Sequence, residues 1–203
     1  MSKIDRDPTL AFASSAALEK WLEKNHAKST GFWLKIAKKD SGVASVTYPE
    51  ALDAALAFGW IDGQKRAFDD DAWLQRFSAR KAKGKWSKIN CAKATTLIEQ
   101  KRMRPSGLKE VEAAKNDGRW DAAYAGQKSA AMPDDLADAL VKNRKAATFF
   151  AKLDSANRYA ILYRLHHTTN AVLRAAKLEK FVKMLENGKT FHPASRKKTA
   201  KKR

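Results

Sequence analysis

The chain changes from helix to strand at Phe58-Gly59-Trp60-Ile61-Asp62-Gly63-Gln64, and a second polar and aromatic stretch follows it, Trp73-Leu74-Gln75-Arg76-Phe77-Ser78-Ala79-Arg80. Apolar residues recur at helical spacing before this junction, so a helix is predicted to end near Trp60, with Asp62-Gly63 as its break. Residues 64–68 and 73–78 have the composition of two short strands. They predict a hairpin around the three aspartates that separate them.

Local signals extend this pattern through the first half of the chain. Residues 14–25 are predicted to form a helix and residues 32–38 a strand, because their apolar residues repeat with helical and alternating spacing. Thr47 with Glu50 has the form of a capping box at the start of the next helix. Ser87 is predicted to cap a helix that runs through Gln100, and Pro105 to open another.

The second half of the chain is predicted to be helical. Residues 125–132 are small and polar and are expected to form a linker. Helices are predicted from Pro133, Asn143 and Ser155, and a last one that ends at Asn187-Gly188. The predicted fold class is therefore α+β, with a small antiparallel sheet and helices in the domain of residues 1–124. A helical domain over residues 133–191 and a disordered basic tail over residues 192–203 complete it.

Composition limits the classes of protein to consider. The formal net charge is +19, and the terminal tail carries only part of it. Such a positive field attracts polyanions in general. The alternative is that the charged side chains only keep the surface solvated. No apolar run reaches the roughly 20 residues of a membrane span. The first residues lack the apolar core of a secretion signal, and the single Cys91 fits a reducing compartment. We therefore expect a cytoplasmic protein.

A candidate ligand site combines amphipathic aromatic residues with polar residues that can fix the orientation of a ligand. Its nine residues are Trp60, Asp62, Gly63, Gln64, Arg76, Arg80, Trp86, Ser87 and Asn90. The prediction is one cleft in which Asp62 faces at least one of Arg76 and Arg80, with an anion held by the guanidinium groups and the helix start at Ser87. The alternatives are an Asp-Gly turn anchored by a buried Trp, surface ion pairs and simple capping.

The sequence favours a non-enzymatic protein without a cofactor. His166 and His167 are adjacent on a helix and point about 100° apart, so they cannot chelate one metal. Lys85 is followed by Trp86 where a phosphate-binding loop needs Ser or Thr. Cys91 has no neighbouring signal of a reactive thiol.

Several segments together are similar to one known family. The segments, which span roughly residues 10–190, are Tyr48-Pro49-Glu50-Ala51-Leu52, Phe58 to Gly63, Arg76 to Arg80, Trp86 to Asn90, Arg102 to Gly107, Asp117 to Trp120 and Asn157-Arg158-Tyr159. The chain resembles the YdeI/OmpD-associated proteins, often labelled bacteriocin-protection proteins. Members usually have Arg-Phe-Thr-Pro-Arg at positions 76–80, and Glu-Thr-Arg where this chain has Val172, Leu173 and Arg174.

The resemblance implies a role in tolerance of antibacterial peptides or envelope stress. Our hypothesis is a non-catalytic cytosolic stress protein that binds a small anionic ligand or an acidic partner protein through the basic, aromatic cleft. One alternative is a nucleic-acid binder without sequence preference that acts weakly through the basic tail and the basic helices. Another is an enzyme of unknown reaction that uses Asp62 and the two arginines.

Overall fold

The computed structural model describes residues 6–193, and the chain divides into two compact units, Met1–Ala123 and Tyr124–Arg203. The first unit combines four strands with four helices, and the second is helical among its described residues. The predicted α+β class is therefore confirmed. Residues 125–132, the predicted linker, lie in the second unit and contain neither a helix nor a strand.

The first unit follows the order strand, helix, strand, helix, hairpin, helix, helix. Its elements are β1 (Thr9–Ala11), α1 (Ser15–Asn25), β2 (Gly31–Ala37), α2 (Tyr48–Ala57), β3 (Trp60–Ala67), β4 (Ala72–Ala79), α3 (Lys88–Glu99) and α4 (Pro105–Asn116). Ser14 caps α1 and Ser87 caps α3, as their positions predict. The carboxylate of Glu50 accepts the backbone N–H of Thr47 at 2.8 Å, so the capping box is also present.

The four strands form one sheet in the order β1-β2-β4-β3. The β3–β4 hairpin and the β2–β4 pair are antiparallel, as expected. β1 was not predicted, and it pairs parallel to β2, which makes the sheet mixed. Register decides which side chains share a face, because directly opposed residues point the same way. Phe32 is opposite Phe77, and both are buried in the core.

The junction between α2 and β3 differs from the sequence prediction. The helix ends at Ala57 and β3 already begins at Trp60. Gly59 makes the connection with φ of +77°, a conformation that favours glycine. Asp62 and Gly63 therefore do not break a helix. They lie within β3, where the register shifts between Asp62 and Lys65 in a β-bulge.

An aromatic core holds the sheet against its helices. Trp60 is 1% exposed, and its indole lies 5.7 Å from the ring of Phe32 and 6.3 Å from that of Trp21. Phe77 stacks on Phe32 at 5.9 Å. Helix α4 approaches the end of α2 closely at Gly107, where a Cβ atom would overlap the carbonyl oxygen of Ala57.

The second unit contains four helices around its own core. They are α5 (Asp134–Lys142), α6 (Arg144–Lys152), α7 (Ser155–His166) and α8 (Ala171–Glu186). Asn143 caps α6 as predicted. The cap of α7 is Asp154 and not Ser155, because the Asp154 carboxylate accepts the Asn157 backbone N–H at 2.8 Å. The buried residues of this core are Leu136, Leu140, Ala146, Phe150, Ile161, Leu162, Leu165, Phe181 and Leu185.

The end of the described chain is attached to this unit. His192 donates its backbone N–H to the Asn157 side chain at 2.9 Å and accepts from it at 3.2 Å. The fold therefore extends to His192, which the sequence placed in a disordered tail. The rest of that predicted tail, from residue 194, lies outside the described residues. Among the described helices, none has the length and apolar character needed to cross a bilayer.

Candidate functional site

The nine predicted site residues occupy different parts of the first unit. Trp60 belongs to the core, where its Nε1–H donates to the backbone oxygen of His26 at 3.2 Å. This burial agrees with the alternative of a buried Trp, although Asp62-Gly63 forms a bulge within β3 and not a turn. The hydrogen bond to His26 satisfies the one polar atom of the Trp60 side chain within the fold.

Asp62, Gly63 and Gln64 belong to the bulge of β3. The Asp62 carboxylate accepts the hydroxyl of Tyr48 at 2.9 Å, and burial, followed by the charge of Asp62, raises the pKa of Tyr48. Gln75 is 4% exposed, and its amide donates to the carbonyl oxygens of Gly63 at 2.9 Å and Gln64 at 3.2 Å. These contacts hold the bulge, so Gln75 is a structural residue that the sequence did not single out.

Arg76 does not form the expected pair with Asp62. Asp62 is opposite Phe77 in the register, so Arg76, the neighbour of Phe77, points to the other face of the sheet. The carboxylate that Arg76 binds belongs to Asp7, with Nε–Oδ2 and Nη2–Oδ2 distances of 2.8 and 2.6 Å. This arginine therefore ties the start of the described chain to β4.

The remaining four residues, Arg80, Trp86, Ser87 and Asn90, come together at the start of α3. The guanidinium carbon of Arg80 lies 3.6 Å from the centre of the Trp86 ring. Ser87 follows Trp86 directly, and its hydroxyl accepts the Asn90 backbone N–H at 3.2 Å. Part of the predicted site is thus a local cluster of an arginine, a buried indole and a helix N-terminus.

Lys115, in the last turn of α4, and Trp120, which follows that helix, complete this group. The Trp120 ring lies 5.0 Å from that of Trp86, and the ammonium of Lys115 lies 5.3 Å from the Trp120 ring. We call Arg80, Trp86, Ser87, Asn90, Lys115 and Trp120 together the Trp86 cluster. Trp120 was recognised in the sequence as part of a family segment. Both segments place a basic residue next to a Trp, and this shared pattern could have predicted that Trp120 and Trp86 belong to one site.

The Trp86 cluster has one buried donor without an acceptor. Trp86 is 2% exposed, and its Nε1–H has no hydrogen-bond partner among the described residues. Leaving a buried N–H unsatisfied costs about 1–3 kcal/mol, so such groups are uncommon in a fold that gains nothing from them.

The Trp86 cluster contains two cations, Arg80 and Lys115, and no carboxylate. Arg119 lies beside it but is paired with Asp117 at 2.7 Å and donates to the Gly84 carbonyl at 2.9 Å. Cys91 lies in the first turns of α3, and burial raises the pKa of its thiol, while Arg80 lowers it and Asp121 raises it further. The direction of this net shift does not favour a thiolate nucleophile.

Among residues 6–193, no group of three or more His, Cys, Asp or Glu side chains is placed to hold a metal ion. The chemistry of the Trp86 cluster is that of donors and cations.

Comparison with known proteins gives two matches, one in each of the two compact units. Residues 129–188, which include α5 to α8, match the family described as Bacteriocin-protection, YdeI or OmpD-Associated. Residues 129–188 are therefore similar to this family. The family resemblance inferred from the sequence is thus confirmed for residues 129–188, and the description suggests a bacteriocin-protection-like function. Residues 10–110 match a different family, described as Domain of unknown function (DUF8412). No curated protein and no solved structure matches the chain.

Arg174 is the one residue of the family's Glu-Thr-Arg step that this chain keeps, and its contacts show its role. Arg174 holds Asp135 through two hydrogen bonds of 2.7 and 2.9 Å, which join the starts of α5 and α8. Val172 and Leu173, which replace the usual Glu and Thr, are 77% and 63% exposed. The arginine therefore has a structural role in this chain.

Proposed function

We propose that this protein is a non-catalytic, bacteriocin-protection-like protein that binds a small oxyanion such as phosphate at the Trp86 cluster. We also propose that it acts in the cytoplasm, where its single Cys91 would remain reduced. The observation that carries the binding proposal is the position of the Arg80 guanidinium, 3.6 Å from the Trp86 ring at the start of α3.

Stacking prepares Arg80 for an anion. Arg80 donates from Nη1 to the carbonyl oxygen of Lys85 at 3.4 Å and gains a cation–π interaction from the indole. The planar fork of a guanidinium matches two oxygens of a phosphate or carboxylate. The ring also restricts the rotamers of the arginine, so less entropy is lost when an anion binds.

The start of α3 supplies further donors. Ser87 satisfies the N–H of Asn90, but the N–H groups of Lys88 and Ile89 have no carbonyl partner within the helix. The helix dipole favours a negative charge at this end by about 0.3–1 kcal/mol at an exposed site. The buried Nε1–H of Trp86 has no hydrogen-bond partner among the described residues, and we propose that it also donates to this ligand.

A melting experiment tests this proposal. The wild-type protein should melt at a higher temperature in sodium phosphate than in sodium chloride of equal ionic strength. An anion at ten times its Kd would add about 1.4 kcal/mol to the free energy of unfolding. The Arg80→Ala variant should lose this increment, and Arg80→Lys should lose most of it, because an ammonium lacks the planar fork.

The matched control is Arg66→Ala. Arg66 also lies over a buried indole, with its guanidinium carbon 4.3 Å from the Trp33 ring, but it is on β3 and away from the start of α3. This control is necessary because phosphate stabilises folded proteins in general. The proposal fails if the Arg80 and Arg66 variants retain the same phosphate increment as the wild type.

A further inference from the structure

A groove in the second unit lies between α6 and the end of α8. Its volume is about 770 Å³, which is within the range of ligand-binding clefts. Phe149 provides the apolar surface, while Leu185 behind it is fully buried. The other residues that line it are Arg144, Lys145, Thr148, Lys152, Glu186, Asn187 and Gly188.

The polar side of this groove is strongly basic. Arg144, Lys145 and Lys152 are exposed, and among residues 6–193 no carboxylate forms an ion pair with any of them. They lie on one helix and extend about 12 Å along its axis, at 1.5 Å per residue. Glu186 is the single acidic residue in the lining. A ligand with several negative charges along its length therefore complements this surface.

The chain keeps the groove open at Gly188. This residue has φ of +65°, and a Cβ atom there would lie 3.7 Å from Cε2 of Phe149. A side chain at position 188 would therefore begin in van der Waals contact with the ring of Phe149. Glycine therefore both ends α8 and leaves the apolar surface accessible.

We propose that this groove binds an acidic peptide segment that carries one apolar anchor residue. A single small anion would use only one or two of the three cations. An extended peptide covers the 12 Å of the basic row with about four residues, since each adds roughly 3.3 Å. Its anchor would contact Phe149, and its carboxylates would pair with the row. This site is independent of the Trp86 cluster, which lies in the other unit.

Fluorescence polarisation tests the proposal with the full chain. The probe is a short fluorescein-labelled peptide with two acidic residues on each side of one phenylalanine. Lys145→Glu should weaken its binding roughly fivefold or more, because a favourable charge pair becomes a repulsive one. Thr148→Trp should abolish binding, because the indole fills the groove from an exposed position while every cation stays in place.

Two controls separate a groove from a diffuse charge effect. Lys180→Glu makes the same charge reversal at an exposed position of α8 that does not line the groove, and it should leave the affinity unchanged. A peptide with serine in place of phenylalanine should bind more weakly than the probe. The proposal would be overturned if Lys145→Glu and Lys180→Glu weakened peptide binding equally, or if Thr148→Trp bound the peptide as tightly as the wild type. It would also be overturned if single-stranded DNA bound more tightly than the peptide and Thr148→Trp abolished that binding.

Discussion

Replacing Gly107 with alanine should destabilise the first unit although alanine is the better helix former. The new Cβ would overlap the carbonyl oxygen of Ala57 and lie 2.5 Å from Sδ of Met103. The sulfur can move away, but the carbonyl cannot do so freely, because it accepts the backbone N–H of Arg104 at 3.0 Å. Carbon and oxygen atoms need well over 3 Å, so α4 must shift by about 1 Å.

The magnitude follows from three effects. Overpacking of a close contact costs about 1–3 kcal/mol, and loss of the hydrogen bond to Ala57 costs about 1 kcal/mol more. The higher helix propensity of alanine returns about 1 kcal/mol. The expected net loss is about 2 kcal/mol in the free energy of unfolding, or a decrease in Tm of roughly 6 °C.

Thermal unfolding followed by circular dichroism measures this change. Gly118→Ala is the control, because Gly118 has φ of +77° but open space where a Cβ would lie, so only the backbone conformation costs energy, about 1–2 kcal/mol. A Gly107→Ala variant that melts at or above the wild-type temperature would refute the close contact between α2 and α4.

Two further variants test structural contacts. Gln75→Leu should lower the free energy of unfolding by about 1–3 kcal/mol in urea denaturation, because it leaves the carbonyls of Gly63 and Gln64 without their buried donor; an unchanged midpoint would show that water replaces the amide. Arg174 lowers the pKa of Asp135 mainly through its hydrogen bonds, so this pair stabilises the fold above the usual aspartate pKa of about 3.9 and loses that contribution as pH falls below it. The stability difference between the wild type and Arg174→Ala should therefore shrink from pH 7 to pH 3, and a constant difference across this range would contradict the ion pair.

Local signals predicted most of the helices and strands. Ser14, Ser87 and Asn143 cap their helices by contacts three residues along the chain, and such contacts are encoded in short sequence windows. The same logic misplaced the cap of α7 by one residue, since Asp154 and Ser155 are both good caps. β1 was missed because three residues are too few for a periodic pattern.

The candidate site was harder to predict because it depends on register and on distant contacts. A bulge and the strand pairing decide that Asp62 and Arg76 lie on opposite faces of the sheet. The carboxylate that Arg76 binds is on Asp7, 69 residues earlier in the chain. Likewise, only tertiary packing brings Trp120 to Trp86. Residue types indicated an aromatic and basic site, but they did not indicate which members would meet.

The central claim is that a small oxyanion binds where Arg80, Trp86 and the start of α3 meet. The most direct measurement is a phosphate titration followed by nitrogen–proton NMR, with the indole resonance of Trp86 assigned through a Trp86→Phe variant. We predict saturable shifts of the Trp86 indole N–H, the Arg80 side-chain N–H and the backbone N–H groups of Lys88 and Ile89. An indole resonance that stays fixed, or shifts of equal size at lysines and arginines over the whole surface, would contradict the claim.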